Sequence, residues 1–376
     1  MNVGIITYHA AHNYGSALQA YALYKSVEAY GHHVEIINYR TDRQDNLYKI
    51  YNKQNSVMGF LRNVQSFFYR KSLNEHHMRF DKFILEHTDL SGDEIRDPSK
   101  LKKLNNKYDC FVCGSDQIWN PNCVDFDTSY LLDFVTDKKR CISYAPSLAS
   151  DSFKDTWRSV FNRELSGFSA LSVREHSGAK TISEITGRSV KTVLDPVFLI
   201  DNNLWNSFVS SKNMKYILCY FIGDIPGMRM YAQNLSQKYN LPIVVINKNL
   251  RDLKMNCIKM YESGPSEFVN LIANANTICT NSFHAVAFSL IFNKEFHVFV
   301  DNNNANTARC RILEILDSVN LSDRVVNDVN ILLPVMEKKD FEYHDVLNCL
   351  ISQSKNYLEN SLKTVEKYTV GNADAM

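Results

Sequence analysis

The sequence predicts an α/β protein of two doubly wound, Rossmann-like parallel-sheet domains facing each other across a cleft, and three observations carry that expectation. Short, mostly apolar runs recur at 3–8, 108–113, 216–222, 277–280 and 296–300, each too short for a helix and bounded by polar turns. Amphipathic or apolar stretches of helical length alternate with them, the pattern of a parallel sheet with crossover helices. The length of 376 residues exceeds one ordinary hydrophobic core and suits two domains.

Residues 3–8 read as a buried first strand that ends in a polar loop at 9–15. A helix follows over 16–30, with Leu18, Tyr21, Ala22 and Lys25 at helical spacing, and Gly31 stops it. A strand at 33–38 completes a β-loop-α-β unit, which closes right-handed. Gly15 is the only glycine of that loop, so neither a dinucleotide fingerprint nor a P-loop is present. Residues 40–93 are polar, aromatic and rich in helix formers, and read as a helical insertion over the ligand edge. Tyr48, Tyr51, Phe60, Phe67, Phe68 and Tyr69 are expected to serve its internal packing rather than an acceptor-facing surface.

The strand at 108–113 runs into Gly114-Ser115-Asp116-Gln117-Ile118-Trp119-Asn120-Pro121. Strand-and-turn segments follow at 140–147 and 168–173, the second leading into Arg174-Glu175; then come a helix at 177–187 and a strand at 190–196. The polar bridge 201–213 reads as a linker. Beyond it a second α/β unit comprises a strand at 216–222, a helix at 228–239, a strand at 243–247, a helix at 266–274, a strand at 277–280, an apolar helix at 283–292 and a strand at 296–300. An amphipathic helix at 308–316 and a helical tail from about 344 to 367 close the chain. The expected domains are therefore 1–200 with the insertion 40–93 on the acceptor side, 214–343, and a tail of 344–376.

Charge and composition exclude several classes. The 42 basic residues nearly cancel the 41 acidic ones, leaving +1 and no electrostatic case for nucleic acid. No apolar run approaches 18 residues, and the N-terminal run has no basic region before it, so the protein is expected to be cytoplasmic. Nine scattered cysteines point to reduced, buried thiols. Cys110 and Cys113 have CxxC spacing, but residues three apart in a strand face opposite sides of the sheet and neither pair nor share a metal easily. No metal-ligand spacing is visible, and no metal or cofactor is expected.

Three edges carry candidate chemistry. Where strand 277–280 feeds a helix, the turn lies at the carboxyl edge of a parallel sheet, where open α/β folds bind ligands. Asn281 or Ser282 can cap that helix, whose N-terminus favours an anion, and His284 stands in its first turn as a ligand or proton donor, or else as a buried histidine satisfied by backbone. Asp116, Gln117, Trp119 and Asn120 combine polar groups with an aromatic ring, as sugar binding requires; the plainer reading is a turn with Asp116 as a helix cap. Arg174 ends a strand on the ligand edge, where its guanidinium fork suits phosphate or carboxylate, or pairs with Glu175 or a neighbour.

Four segments in this order resemble the polysaccharide pyruvyl transferase family: Gly4-Ile5-Ile6-Thr7-Tyr8 with Asn13-Tyr14-Gly15 and Leu18-Gln19-Ala20; Gly114 to Pro121; Ser172-Val173-Arg174-Glu175 followed by Leu194-Asp195-Pro196; and Thr280-Asn281-Ser282-Phe283-His284. The resemblance spans roughly residues 1–325. It implies a fold similar to the GT-B glycosyltransferases and transfer of the pyruvyl unit of phosphoenolpyruvate onto two hydroxyls of a sugar as a ketal, commonly the 4,6-ketal of galactose, in capsular or exopolysaccharide synthesis. In that family the matching positions hold phosphoenolpyruvate, which here are Arg174, Ser282, Phe283 and His284, with Arg309 or Arg311 as the downstream basic residue. His284 is then the general acid, with Asp116 as a second candidate for base or hydroxyl ligand. The acceptor side comprises Asn13, Tyr14, Gln19, Asp116, Gln117, Trp119 and Asn120. Many relatives carry arginine where Ser282 stands, so one phosphate contact must be supplied differently here. Phosphoenolpyruvate is a co-substrate, and no cofactor is implied.

Two other readings are compatible with the residues: a sugar-nucleotide-dependent GT-B glycosyltransferase and a non-catalytic carbohydrate-binding protein. The acceptor sugar is open. A lipid-linked acceptor, such as an undecaprenyl-diphosphate-linked sugar, would bring the protein to the inner membrane face. Phe67-Phe68-Tyr69-Arg70-Lys71 is then either a peripheral contact or a solvated helix end. A homo-oligomer is compatible with the sequence.

Overall fold

Apolar runs of four to six residues cannot satisfy their backbone groups alone once buried, and here they do so by pairing side by side in parallel. The computed structural model describes residues 1–51, 57–149, 154–211, 214–301, 307–334, 336 and 342–373. The chain divides into two units, the first made of 1–48, 84–200 and 347–376, the second of 49–83 and 201–346.

In the first unit, β1 (Asn2–Ile6), β2 (His33–Ile36), β3 (Cys110–Cys113) and β4 (Cys141–Ser143) form a parallel sheet in the order β2-β1-β3-β4. Val3 stands opposite both Val34 and Cys110. β5 (Ser172–Val173) and β6 (Lys191–Thr192) pair in parallel, and a bridge from Ile142 to Ala170 carries the arrangement on from β4. The chain leaves β1 for β2 on one side and returns to β3 on the other, so the carboxyl ends of β1 and β3 flank a topological switch point. Alternation along β3 divides the core: Cys110 and Val112 pack with Val3, Ile5 and Ala20, whereas Phe111 and Cys113 pack with Ile6, Tyr8 and Trp119. The two thiols thus face opposite layers, as strand periodicity requires. Burial pushes both well above the usual thiol range.

In the second unit, β7 (Ile217–Tyr220), β8 (Ile243–Val245), β9 (Ile258–Lys259), β10 (Thr277–Thr280) and β11 (Glu295–Val298) are parallel in the order β11-β10-β7-β8-β9. Counted within the unit this is 3-2-1-4-5, a Rossmann half with its switch point between β7 and β10. Both units therefore have the expected α/β, doubly wound architecture.

The division differs from the sequence-based limits in three places. Residues 49–83 of the 40–93 stretch belong to the second unit rather than to an insertion of the first. Within that stretch, Tyr48 packs on the first unit's core and Tyr69 packs edge-on against Tyr261 at 4.9 Å, but Tyr51, Phe60, Phe67 and Phe68 are exposed rather than packed. The bridge 201–213, as far as it is described, is built into the second unit: Asp201 caps the short helix Asn202–Asn206, and the fully buried Trp205 packs edge-on against Phe288 at 4.8 Å. Residues 212 and 213 lie outside the described residues. The C-terminal helix Tyr343–Ala373 seats Leu358, Leu362 and Val365, at i, i+4 and i+7, against Val3, Ile5 and Leu23 of the first unit.

Candidate functional site

The loops at the carboxyl ends of β1, β3, β4 and β5 bring a polar cluster into the buried edge of the first unit. Gly114 makes this approach feasible: its φ is +140°, and a Cβ there would meet the Tyr144 carbonyl oxygen at 1.9 Å. The next residue, Ser115, is fully buried; its N–H donates to Gln19 Oε1 at 3.0 Å and its hydroxyl to the Ala145 carbonyl at 2.7 Å. Gln19 Nε2 in turn donates to Thr7 Oγ1 at 2.8 Å and to the Ser16 carbonyl at 2.9 Å. Gln19, placed among the acceptor contacts by its motif, is thus a fully buried brace between the first strand, the first helix and the β3 loop.

Arg174 follows β5 and is buried with Asp195. One guanidinium nitrogen donates to Ser115 Oγ at 2.6 Å and lies 2.8 Å from Asp195 Oδ2. Asp195 Oδ1 also caps the short turn Pro196–Phe198 through the Val197 N–H at 3.0 Å. Glu175 accepts from the Ser147 hydroxyl. Of the plain partners foreseen for Arg174, the structure shows an ion pair with a neighbour in space, Asp195.

Asp116 takes a left-handed φ of +68°. Its Oδ2 accepts from Ser16 Oγ at 2.5 Å and its Oδ1 from the Gln117 N–H at 2.8 Å. Two residues join it: Tyr8, the last residue of the N-terminal motif, and Asp125, which lies in no motif. Burial pushes the Tyr8 hydroxyl well above the usual phenol range, followed by Tyr130 and then by the nearby Asp125 and Asp116. Burial likewise raises Asp125, and the charge of Asp116 raises it further. Tyr8, Asp116 and Asp125 therefore lie near enough to influence one another's protonation. Sequence spacing gives no sign of Asp125, because it reaches the cluster through an irregular loop.

The remaining acceptor candidates separate. Asn13 is the N-cap of the helix Tyr14–Glu28, accepting from the Gly15 and Ser16 N–H groups at 2.9 and 3.3 Å, and Tyr14 is buried. Gln117 is half-buried beside Asn120, whose Oδ1 accepts from the Asn122 N–H at 3.0 Å in a tight turn. Trp119 corrects the sequence reading: it is fully buried, donates Nε1–H to the Tyr130 carbonyl at 3.1 Å, and meets Phe161 edge-on. It is a core residue and offers no ring face to a sugar.

In the second unit, the turn after β10 is held by paired amides. Asn281 Oδ1 accepts from the Ile222 N–H and its Nδ2 donates to the Ile222 carbonyl, both at 2.7 Å, which ties the β10 turn to the β7 turn across the switch point. Thr280 Oγ1 donates to the Tyr220 carbonyl at 2.7 Å and accepts from the Ser282 N–H at 3.0 Å. Ser282 occupies the N-cap of the helix Phe283–Ile291 but makes no side-chain cap bond. Of the two expected cap candidates, one is spent on the brace and the other leaves its hydroxyl out of the cap. His284 is buried in the first turn, edge-on to Phe283 at 5.2 Å, and the buried Arg311 lies over the same Phe283 ring at 5.8 Å. The structure therefore brings together Ser282, Phe283, His284 and Arg311. Arg309 belongs to the helix Thr307–Ser318, but its side chain lies outside the described residues.

A buried imidazole, a guanidinium and a helix N-terminus at one switch point form a set suited to an anionic ligand. The family model for polysaccharide pyruvyl transferase matches residues 13–304. No curated protein matches the chain. Among solved structures, the UDP-N-acetylglucosamine 2-epimerase of Rickettsia bellii is similar at 10% identity and a TM-score of 0.46, with 98% of this chain and 97% of that one covered. The UDP-GlcNAc 2-epimerase of Neisseria meningitidis bound to UDP-GlcNAc is similar at 11% identity and a TM-score of 0.46, covering 96% and 99%. Anabaena Alr3699/HepE in complex with UDP and glucose is similar at 9% identity and a TM-score of 0.49, covering 97% and 100%.

Proposed function

The chain belongs to the polysaccharide pyruvyl transferase family, and from that premise we propose that it forms a pyruvate ketal on a sugar, with phosphoenolpyruvate as donor. The observation that carries the reading is the grouping of His284, Phe283 and Arg311 at a helix N-terminus with no side-chain cap. Phosphoenolpyruvate has a phosphate and a carboxylate, and such a set meets both.

A proton is added to the methylene carbon of phosphoenolpyruvate while one sugar hydroxyl attacks C2. The C2–O bond to phosphate then breaks, and a second sugar hydroxyl closes the ketal. Of the two hydroxyl protons, one is made good at the new methyl group and the other leaves on hydrogen phosphate. We assign His284 as the acid that supplies the carbon or the leaving phosphate, with Arg311 and the helix N-terminus offsetting the phosphate charge. Asp116 is assigned to an acceptor hydroxyl. Arg174, oriented by Asp195 and Ser115, is assigned to the donor's anionic groups as in the family motif.

Incubation of the protein with phosphoenolpyruvate and a lipid-linked oligosaccharide should release phosphate and add the mass of one pyruvyl ketal to the acceptor. Transfer only from nucleotide sugars would overturn the reading in favour of a glycosyltransferase. Sugar binding without turnover of either donor would overturn it in favour of a binding protein.

A further inference from the structure

The helix Val57–Phe68 is built inside out for a soluble protein. Its buried residues are Gly59, Gln65 and Ser66, and the two polar ones are tied to the second unit: Gln65 Nε2 donates to the Asn249 carbonyl at 3.1 Å, and Lys248 Nζ donates to Ser66 Oγ. The opposite arc is apolar and exposed. Val57, Phe60, Leu61, Val64, Phe67 and Phe68 recur at i, i+3, i+4, i+7, i+10 and i+11, and Val57, Phe60 and Phe68 expose 78%, 67% and 76% of their surface. An ordinary surface helix turns these two faces the other way. A continuous apolar stripe in water is uncommon on a protein surface and marks a surface with a partner.

The charges around the stripe identify that partner. In a chain whose charges nearly cancel, the stretch from Asn46 to Asn74 contains Lys49, Lys53, Arg62, Arg70 and Lys71 and not one Asp or Glu. Arg62, Arg70 and Lys71 are exposed, and the Arg70 guanidinium lies over the Phe67 ring at 4.8 Å. An apolar arc rich in phenylalanine, flanked by cations and free of carboxylates, is what an interfacial helix needs: rings enter the acyl boundary and cations meet anionic headgroups. Among the described residues no helix is long and apolar enough to cross a membrane. We propose that the helix Val57–Phe68 lies in the plane of an anionic lipid surface and docks the second unit on it.

This surface is independent of the transfer reaction, so its test needs no substrate. The full chain should sediment with vesicles of equal parts phosphatidylglycerol and phosphatidylcholine, and sediment poorly with phosphatidylcholine alone or in high salt. The double variant F60D/F68D, at two outward-facing positions, should keep the parent Tm and lose about tenfold or more of its vesicle binding. R70E/K71E should lose the preference for anionic vesicles. No sedimentation of the parent protein, or equal sedimentation of F60D/F68D, would overturn the proposal. So would a parent dimer in solution that F60D/F68D converts to a monomer, since a second copy would then be the occupant of the stripe.

Discussion

His284 is the side chain on which most of the proposed chemistry rests. His284→Gln should lower kcat for phosphate release by roughly 10²–10⁴-fold while leaving the Tm nearly unchanged, since general acid catalysis contributes about that much; an unaltered kcat would remove the histidine from the reaction. Arg174 makes a different prediction because its partner is buried as well. Arg174→Met leaves Asp195 charged and without its cation, a change that typically costs about 3–5 kcal/mol. Denaturant midpoints should therefore fall for Arg174→Met and for Asp195→Asn, and the double variant should lose less than the sum of the two. Asp125 gives a pH signature. Its folded-state carboxyl is raised, so the folded protein holds the proton where the unfolded chain has released it, and stability falls as pH rises through that window. Asp125→Asn should match the parent in Tm below the usual carboxylate range and exceed it at neutral pH. At this scale His284 and Arg174 were legible because each stands beside a strand end in a recognisable motif. Asp125 was not, because only the folded loop brings it to Asp116 and to Tyr8 of the N-terminal motif. Trp119 misled: an indole next to amides reads the same in sequence whether it faces a sugar or the core.

Turns, more than strands, decide what the two sheet edges can hold. Gly114→Ala should unseat the β3 loop, because a Cβ would overlap the Tyr144 carbonyl and the φ of +140° suits glycine alone; a marked fall in Tm together with lost turnover would register it. At the other edge, Ser282 is an N-cap without a cap bond. Ser282→Ala should therefore cost well under the roughly 1 kcal/mol usual for a lost cap, while raising the KM for phosphoenolpyruvate if the hydroxyl meets phosphate. Asn281→Ala removes two hydrogen bonds to Ile222 and should cost about 1–3 kcal/mol. Equal thermal stability of the two variants would contradict this assignment. The helix following β10 was evident from its apolar run and polar start. Which of Asn281 and Ser282 would cap it was not, because the choice depends on the β7 turn, 59 residues away.

Across the whole molecule, burial keeps His9 of the first unit and His297 of the second neutral. His9, held by burial and set between the Thr7 carbonyl and Asn38, is lowered from 6.5 to about 4. His297, lowered by burial and then by Arg324, falls to about 3 beside the Tyr231 hydroxyl. The unfolded chain takes up protons below pH 6.5 that these sites refuse, so stability is present above that value and is lost on acidification through the range from 6.5 toward 4 and 3. Thermal unfolding at stepped pH should show this slope, and His9→Gln and His297→Gln should each flatten it. The sequence by itself determined the α/β class, the two doubly wound sheets and the motif residues at their carboxyl edges, because period-2 and helical apolar patterns are local and survive translation into chain order. Tertiary structure decided the rest. Residues 49–83 join the second unit and the C-terminal helix returns to the first, since which sheet a helix covers depends on contacts between distant segments. It also buried Trp119, paired Arg174 with Asp195, and turned Phe60 and Phe68 outward, because a helical stripe specifies that an apolar face exists but not which way that face points.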